Sequence, residues 1–406
     1  MYRKVWWQNM KLIERTFYLD QLKSVQNTPD IKVITGVRRS GKSKLLTSFI
    51  DCINKECKNT NIVYINMQET ENEHLLEYHS LHDYILQQHD STKDNYLFID
   101  EVQLCPQFEK AVNSIHTKEI YDIYVTGSNA FLLSSDLATL FTGRTFVIEV
   151  FPFSFKEFLV YFDRNDYDLA FNDYLKIGGF AGSYLYKELE QKYNYLQKDV
   201  YETIVTRDIV TKYKIRNKGL FENLTHFLID NISNLSSARN IVNYLTSSKN
   251  KISHNTIINY IKYLCNAFVF YEVKRFDLKG KKYLSTEQKY YLVDHVIKYA
   301  ILGSKNQDLG RMLENIVYME LKRRGYEVYV GKLYKKEIDF VAIKRNEQIY
   351  IQVSTFLDDD NTMKRELDPL LNIKDGYPKV IIARTHQEEY SVDGIKIIDI
   401  AEWLAK

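Results

Sequence analysis

From residue 30 to residue 150 the chain alternates between two hydrophobic rhythms. Unbroken apolar runs such as Tyr96-Leu97-Phe98-Ile99 read as strands buried on both faces. Between them, apolar positions such as Leu45, Leu46, Phe49 and Ile50 recur at helical spacing. The pattern predicts strands over 32–35, 61–67, 96–100, 123–126 and 146–150, with helices over 42–55, 73–89, 107–115 and 129–140. Strands spaced by helices imply a parallel sheet joined by right-handed crossovers.

Past Phe155 the rhythm turns helical, through Phe158, Leu159, Tyr161 and Phe162 and then Leu169, Phe171, Tyr174 and Leu175. Gly178-Gly179-Phe180-Ala181-Gly182 interrupts it, as a small helical lid or connector would. Three more helices are predicted over 221–232, 241–244 and 254–266, followed by strand-like segments at 269–275, 282–284 and 289–294. Three helices and a basic β-wing resemble a winged helix-turn-helix. The end of the chain reads as a separate small α/β unit, with a helix over 313–323 and strands over 327–330, 339–343, 349–355 and 380–383.

Composition changes this picture little. The 406 residues, 45% hydrophobic and 27% charged, suit two to four ordinary globular domains. A net charge of +2 neither demands nor forbids a nucleic-acid partner. The N-terminus lacks the apolar core of a signal peptide, and no apolar run approaches the ~18 residues of a membrane span. Cys52, Cys57, Cys105 and Cys265 show no metal-ligand spacing. The expectation is a cytoplasmic protein with free thiols, no membrane partner and no zinc.

Candidate chemistry changes it more. Gly36-Val37-Arg38-Arg39-Ser40-Gly41-Lys42-Ser43 fits G-x-x-x-x-G-K-[ST] between a predicted strand and a predicted helix. Loop N–H groups and the helix N-terminus can cradle nucleotide phosphates, so Gly36 to Ser43 and Lys44 are the expected nucleotide-binding residues. Lys42 would reach the β- and γ-phosphates of ATP, and the Ser43 hydroxyl would ligate Mg2+. Arg15, Tyr18 and Leu19 are expected to pack beside the nucleotide. The 96–100 strand ends in Asp100-Glu101, with Asp100 suited to magnesium and Glu101 to polarising the attacking water as a general base. The strand after it ends in small polar residues, of which Ser128, or else Asn129, would sit between magnesium and the γ-phosphate. Arg144 could stabilise the transferring phosphoryl group of a neighbouring subunit, with Arg207, Arg38 and Arg39 as competitors.

These segments, with Thr126-Gly127-Ser128 and Thr142-Gly143-Arg144, resemble a prokaryotic group of AAA+ ATPases related to the archaeal-type ATPases. The resemblance extends to Leu313-Glu314-Asn315, Glu337-Ile338-Asp339-Phe340, Ile351-Gln352-Val353-Ser354 and Lys374-Asp375-Gly376-Tyr377-Pro378-Lys379. It implies an α/β protein with a P-loop AAA+ parallel sheet core over 1–160, a helical lid or connector over 161–217, and a winged helix-turn-helix over 218–300. A restriction-endonuclease-like α/β domain over 305–406 completes it. Ala181 stands where the group is expected to carry proline.

Active members of the endonuclease fold surround metal with a helical Glu, a strand Asp and an acid-x-Lys pair. Here Glu314 and Asp339 fit, but Gln352 replaces the second carboxylate and Ser354 the lysine. The tail is therefore expected to keep the fold without efficient cleavage. Lys274, Arg275, Lys281 and Lys282 on the wing, with Lys251, His254, Asn255 and Lys262 near the third helix, are candidate DNA contacts. The leading expectation is an oligomeric ATP-driven remodeller acting on DNA, a hexamer-like ring being one form it could take. An ATP-dependent switch that recruits a protein partner, and an ATP-gated nuclease, stand as alternatives.

Overall fold

The computed structural model describes residues 11–127, 141, 143–246, 253–280, 282–303, 308–357 and 359–406. They form two units, one of residues 12–152 with 266–268, the other mainly of residues 153–265 and 269–406.

The first unit is built on a five-stranded parallel sheet. Its strands are β1 (Ile31–Thr35), β2 (Thr60–Asn66), β3 (Asp94–Asp100), β4 (Asp122–Thr126) and β5 (Thr145–Glu149), in the order β2-β3-β4-β1-β5. Helices α1 (Thr16–Ser24), α2 (Lys42–Glu56), α3 (Tyr78–Gln87) and α4 (Phe108–Thr117) accompany them. All of β1 and the last five residues of β3 are buried, which explains the apolar run Tyr96–Ile99 in β3; β1 also buries Lys32, whose Nζ bonds Thr28 O and the Asp122 carboxylate. Successive side chains point to opposite faces. Val33, Leu97, Ile99 and Val125 pack with Leu81, Ile85, Val112 and Ile115 of α3 and α4. Phe98 and Tyr124 instead stack at 4.8 Å, and Phe49 of α2 lies 5.3 Å from Tyr124. The predicted strands are all present. The helix expected over 129–140 lies outside the described residues.

The second unit carries an eight-stranded mixed sheet, β12-β13-β11-β10-β9-β8-β6-β7. Its strands are β6 (Phe270–Asp277), β7 (Lys282–Leu292), β8 (Glu327–Leu333), β9 (Lys336–Lys344), β10 (Glu347–Ser354), β11 (Lys379–Ala383), β12 (Tyr390–Val392) and β13 (Ile395–Asp399). Helices α5 (Phe155–Phe162), α6 (Tyr167–Ile177), α7 (Leu189–Tyr195), α8 (Lys218–Asp230), α9 (Ala238–Thr246), α10 (His254–Asn266), α11 (Val296–Leu302), α12 (Leu309–Arg323), α13 (Asp360–Leu371) and α14 (Ile400–Ala405) surround it. The Ser154 hydroxyl and Glu157 carboxylate form a reciprocal cap that starts α5.

The three helices expected over 221–266 are present as α8, α9 and α10, but the hairpin after them is not a free wing. Antiparallel β6 and β7 form one edge of the large sheet, because β6 pairs in parallel with β8, Arg275 opposite Val330 and Asp277 opposite Lys332. A sheet leaves no long edge open where a partner strand can satisfy it. The outer edge of β7 is covered too. Ser236 exchanges both backbone bonds with Gln288, Ser233 N–H donates to Tyr290 O, and the Asn315 amide bonds both Leu292 N–H (2.7 Å) and Leu292 O (2.9 Å).

Candidate functional site

The loop expected to hold phosphates lies between β1 and α2. Gly36 has φ +133°, and a Cβ there would stand 2.2 Å from Val150 O, so only glycine lets the loop leave β1 beside the end of β5. Gly41, at φ +96°, is the N-cap of α2 and offers no side chain to its first amides. Val37 is buried, Arg38 half-buried, Arg39 and Lys44 exposed, and Ser43 half-buried in the first turn. Lys42 Nζ donates to Gly36 O and Val37 O, both at 3.0 Å. The back of the loop is held by Arg15, which donates to Ser40 O at 2.8 Å and Phe151 O at 2.9 Å while lying over the Tyr18 ring. Tyr18 in turn accepts from Phe151 N–H. The sequence placed Arg15 and Tyr18 beside the nucleotide; they buttress the loop that would hold it.

β3 and β4 bring Asp100 to the same sheet edge. Ile99 pairs with Val125, so Asp100 and Thr126 lie side by side, and Ile34 of β1 pairs with Thr126. Asp100 is therefore two strand spacings, about 10 Å, from β1. Its buried carboxylate accepts from the Thr126 hydroxyl and from Tyr64 Oη at 3.4 Å. Glu101 follows at φ +55°, donates its N–H to Thr126 Oγ1 at 3.0 Å, and accepts from the Gln103 side-chain amide. Burial, then the Asp100 charge, pushes the Tyr64 phenol well above its ordinary pKa. A buried carboxylate met only by neutral donors, with no ion pair among the described residues, fits a cation, and Ser43 and Asp100 are the residues that would hold Mg2+. Thr35 Oγ1 and Ser40 Oγ are buried without a hydrogen-bond partner among the described residues, two further polar atoms at this edge.

Thr126 was missed by sequence reasoning, which looked two and three residues further, to Ser128 and Asn129; both lie outside the described residues. The strand register alone singles Thr126 out. Arg144 is exposed just before β5, whose Thr145 pairs with Ile31 at the start of β1. It thus lies at the opposite edge of the sheet from the loop, about 13 Å away along the strands.

A second constellation forms in the other unit. Glu314 of α12 and Asp339 of β9 both lie near a lysine the sequence did not single out. Lys289 of β7, almost fully buried, holds Glu314 at 2.8 Å, Glu337 at 2.8 Å and Asp339 at 3.8 Å. Tyr291 Oη donates to Glu314 at 2.6 Å. Gln352 accepts from Asp339 N–H at 2.8 Å and donates to Glu366 at 3.1 Å, while Val353 N–H donates to Asp339 Oδ2 at 2.8 Å. Ser354 points away, its hydroxyl donating to Phe356 O. Burial, then Glu314, pushes the Asp339 carboxyl up to about 8, and burial raises Glu314 as well. Burial works against the Lys289 charge, but the three carboxylates, Glu314 foremost, outweigh it and hold the ammonium above its ordinary range.

The residues expected to contact DNA fare unevenly. Lys274 and Lys282 are exposed, as are His254, Asn255 and Lys262. Arg275 is a correction: it lies on the same face of β6 as the buried Val273, where it is 9% exposed and paired with Glu287. Lys281 and Lys251 lie outside the described residues, and Arg207 is exposed on a π-helical stretch, Ile204–Thr211.

Residues 28–159 match a family model described as an AAA domain, and residues 168–308 one described as a domain of unknown function. An uncharacterized protein of Haemophilus influenzae is 38% identical over 399 residues, 97% of this chain and 98% of its own. An uncharacterized protein of Methanocaldococcus jannaschii is 31% identical over 379 residues, 89% of this chain and 83% of its own. Among solved structures, the Walker-type ATPase of Pyrococcus abyssi matches at TM-score 0.44 and 15% identity, over 71% of this chain and 95% of its own. The Orc1 protein of Aeropyrum pernix, solved in complex with DNA, matches at 0.33 and 12%, over 72% and 92%. At these scores neither likeness bears on function. Among the described residues no helix is long and apolar enough to cross a membrane.

Proposed function

Since this chain belongs to the family of the Haemophilus influenzae and Methanocaldococcus jannaschii proteins and carries an AAA domain, we propose that it is a magnesium-dependent ATPase working as an oligomer on DNA. The observation that carries the reading is the shared sheet edge of the Gly36–Ser43 loop and the Asp100–Thr126–Glu101 cluster. On binding ATP, Lys42 exchanges the carbonyls of Gly36 and Val37 for phosphate oxygens, while loop amides and the start of α2 take the rest. Magnesium, when bound, would neutralise charge at the phosphates, and Ser43 and Asp100 are the residues that would hold it. Thr126 keeps the Asp100 carboxylate aimed and ties Glu101 to it through the backbone. Glu101, released from the Gln103 amide, accepts the proton of the attacking water.

Arg144, on the far edge of the sheet, serves a neighbouring subunit in this reading, which makes hydrolysis depend on assembly. Lys274 and Lys282 with the exposed face of α10 supply the DNA contacts, and the nuclease-like tail binds without cutting. The hairpin's place in the large sheet, and the inward turn of Arg275, favour a second reading: an ATP-dependent switch whose second unit recruits a protein.

DNA-stimulated hydrolysis separates the two. A rate that rises with duplex, single-stranded or branched DNA supports the first, and one indifferent to all three at low salt supports the second. Two substitutions test the ATPase itself. Lys42→Ala removes nucleotide binding. Glu101→Gln keeps binding and loses turnover; hydrolysis at the unsubstituted rate would remove Glu101 as general base.

A further inference from the structure

Three aromatic rings meet on the β6–β7 hairpin and the strand beside it. Phe276 and Tyr283 stand opposite each other across the hairpin, with ring centroids 5.5 Å apart. Tyr329 of β8 closes the group, 5.0 Å from Tyr283 and 6.1 Å from Phe276. Phe276 and Tyr329 are half-buried and pack against the apolar core of the unit. Tyr283 is 60% exposed, which leaves much of its ring in water. The tip of the hairpin lies beside the turn between β8 and β9, where Leu278 N–H donates to Lys332 O at 3.0 Å. In that turn a fourth ring, Tyr334, is 66% exposed, and Lys279 Nζ stands 4.7 Å from its centroid. Cross-strand packing accounts for the contacts among the rings, not for the ring surface turned to solvent.

The charges around the rings decide what would cover them. Lys274, Lys279, Lys282 and Lys335 are exposed there. Carboxylates nearby are engaged. Asp277 accepts from the N–H groups of Lys279 and Gly280, Glu327 accepts from the Tyr329 hydroxyl, and Asp368 is paired with Lys336. Exposed rings among ammonium groups suit a ligand that carries flat faces and negative charge together, as a nucleic-acid strand does. A duplex hides its base faces in its own stack, whereas an unpaired strand can lay them on protein rings.

We propose that this part of the second unit is a stacking platform for unpaired DNA, in which Tyr283 and Tyr334 each receive a base and Lys274, Lys279 and Lys282 meet the phosphates. The inference rests on the reading of the chain as an ATPase acting on DNA, and deepens it by naming the form of DNA.

Fluorescence anisotropy tests it, with the full chain titrated at low salt into an end-labelled single-stranded oligodeoxynucleotide, a duplex, or an oligoribonucleotide of the same sequence. The single-stranded DNA is expected to bind about tenfold tighter than the duplex. Tyr283→Ala should weaken the single strand about tenfold, the loss of one stacked base, and bring the two forms of DNA close together. Because Tyr283 also packs on Phe276 and Tyr329, Tyr283→Leu keeps apolar contact while removing the ring, and carries the same expectation. Tyr283→Trp should retain the preference. Lys282→Ala should weaken both forms alike and flatten the dependence of affinity on salt. A duplex bound as tightly as the single strand overturns the proposal, as does a Tyr283→Leu chain that keeps its parent's preference. RNA bound more tightly than DNA overturns the choice of ligand. Self-association that Tyr283→Leu abolishes, with single-strand binding at the parent's level, overturns the proposal in favour of a contact between copies. No binding to DNA of any form is a different failure: it strikes the reading of a DNA-acting ATPase, whereas binding that favours the duplex strikes only the platform.

Discussion

Thr126 joins two jobs at one hydroxyl, donating to Asp100 and accepting from the Glu101 amide. Thr126→Val keeps shape and removes both bonds, so ATP turnover should fall about tenfold or more with nucleotide affinity nearly unchanged, as steady-state kinetics beside equilibrium binding would reveal. Equal loss in both would make Thr126 a packing residue. Arg15→Ala strands the Ser40 and Phe151 carbonyls that its guanidinium satisfies. A cost of about 2–4 kcal/mol to chemical unfolding is expected, with Arg15→Lys recovering part of it. Single residues are also where the sequence was most and least legible. The Gly36–Ser43 spacing declares its own chemistry. Thr126 does not, because only the register of two strands puts it beside Asp100.

Among elements, β3 was the most readable strand because burial on both faces leaves an unbroken apolar run from Tyr96 to Ile99, whereas β2 and β5 carry the exposed Tyr64, Phe146 and Val147. The hairpin was misplaced because its partner, β8, lies some fifty residues on, and parallel pairing over that span leaves no local mark. The same distance hid Lys289, whose partners come from α12 and β9. The ionic cluster makes a pH prediction. Asp339 holds its proton to about 8 in the folded chain against about 3.9 unfolded, so the fold binds more protons than the unfolded chain between those values. Its contribution is fully present below about 4 and is lost as pH rises through about 8, at up to about 1.4 kcal/mol per pH unit. Asp339→Asn should flatten that slope in denaturation curves taken from pH 5 to 9. An unchanged slope would mean that other groups set it.

For the molecule as a whole, the proposed function would divide between the two sheets, with one edge of the parallel sheet for nucleotide and the large mixed sheet for what the nucleotide would control. Arg144 extends the argument beyond a single chain. If it completes a neighbour's site, Arg144→Ala and Lys42→Ala chains, each nearly inactive alone, should regain activity when mixed, since one supplies the loop and the other the arginine. Mixing experiments that recover nothing at any ratio would confine Arg144 to its own subunit. Hydrolysis per chain should also rise with protein concentration, alongside a mass increase with ATP.

The coverage of β7 has a consequence for how the protein behaves in a crowd. This edge strand runs eleven residues, and its even positions 288, 290 and 292 present their main-chain groups outward. Such a border is a template on which another chain can stack, most dangerously where it is apolar, as at Tyr290, Tyr291 and Leu292. Ser233, Ser236 and Asn315 occupy those groups at that end, and Lys282 stands exposed at the beginning of the strand. Asn315 is therefore a guard against self-association as well as a clamp. Asn315→Leu should show itself first in turbidity that grows with protein concentration at temperatures where the secondary structure is still intact.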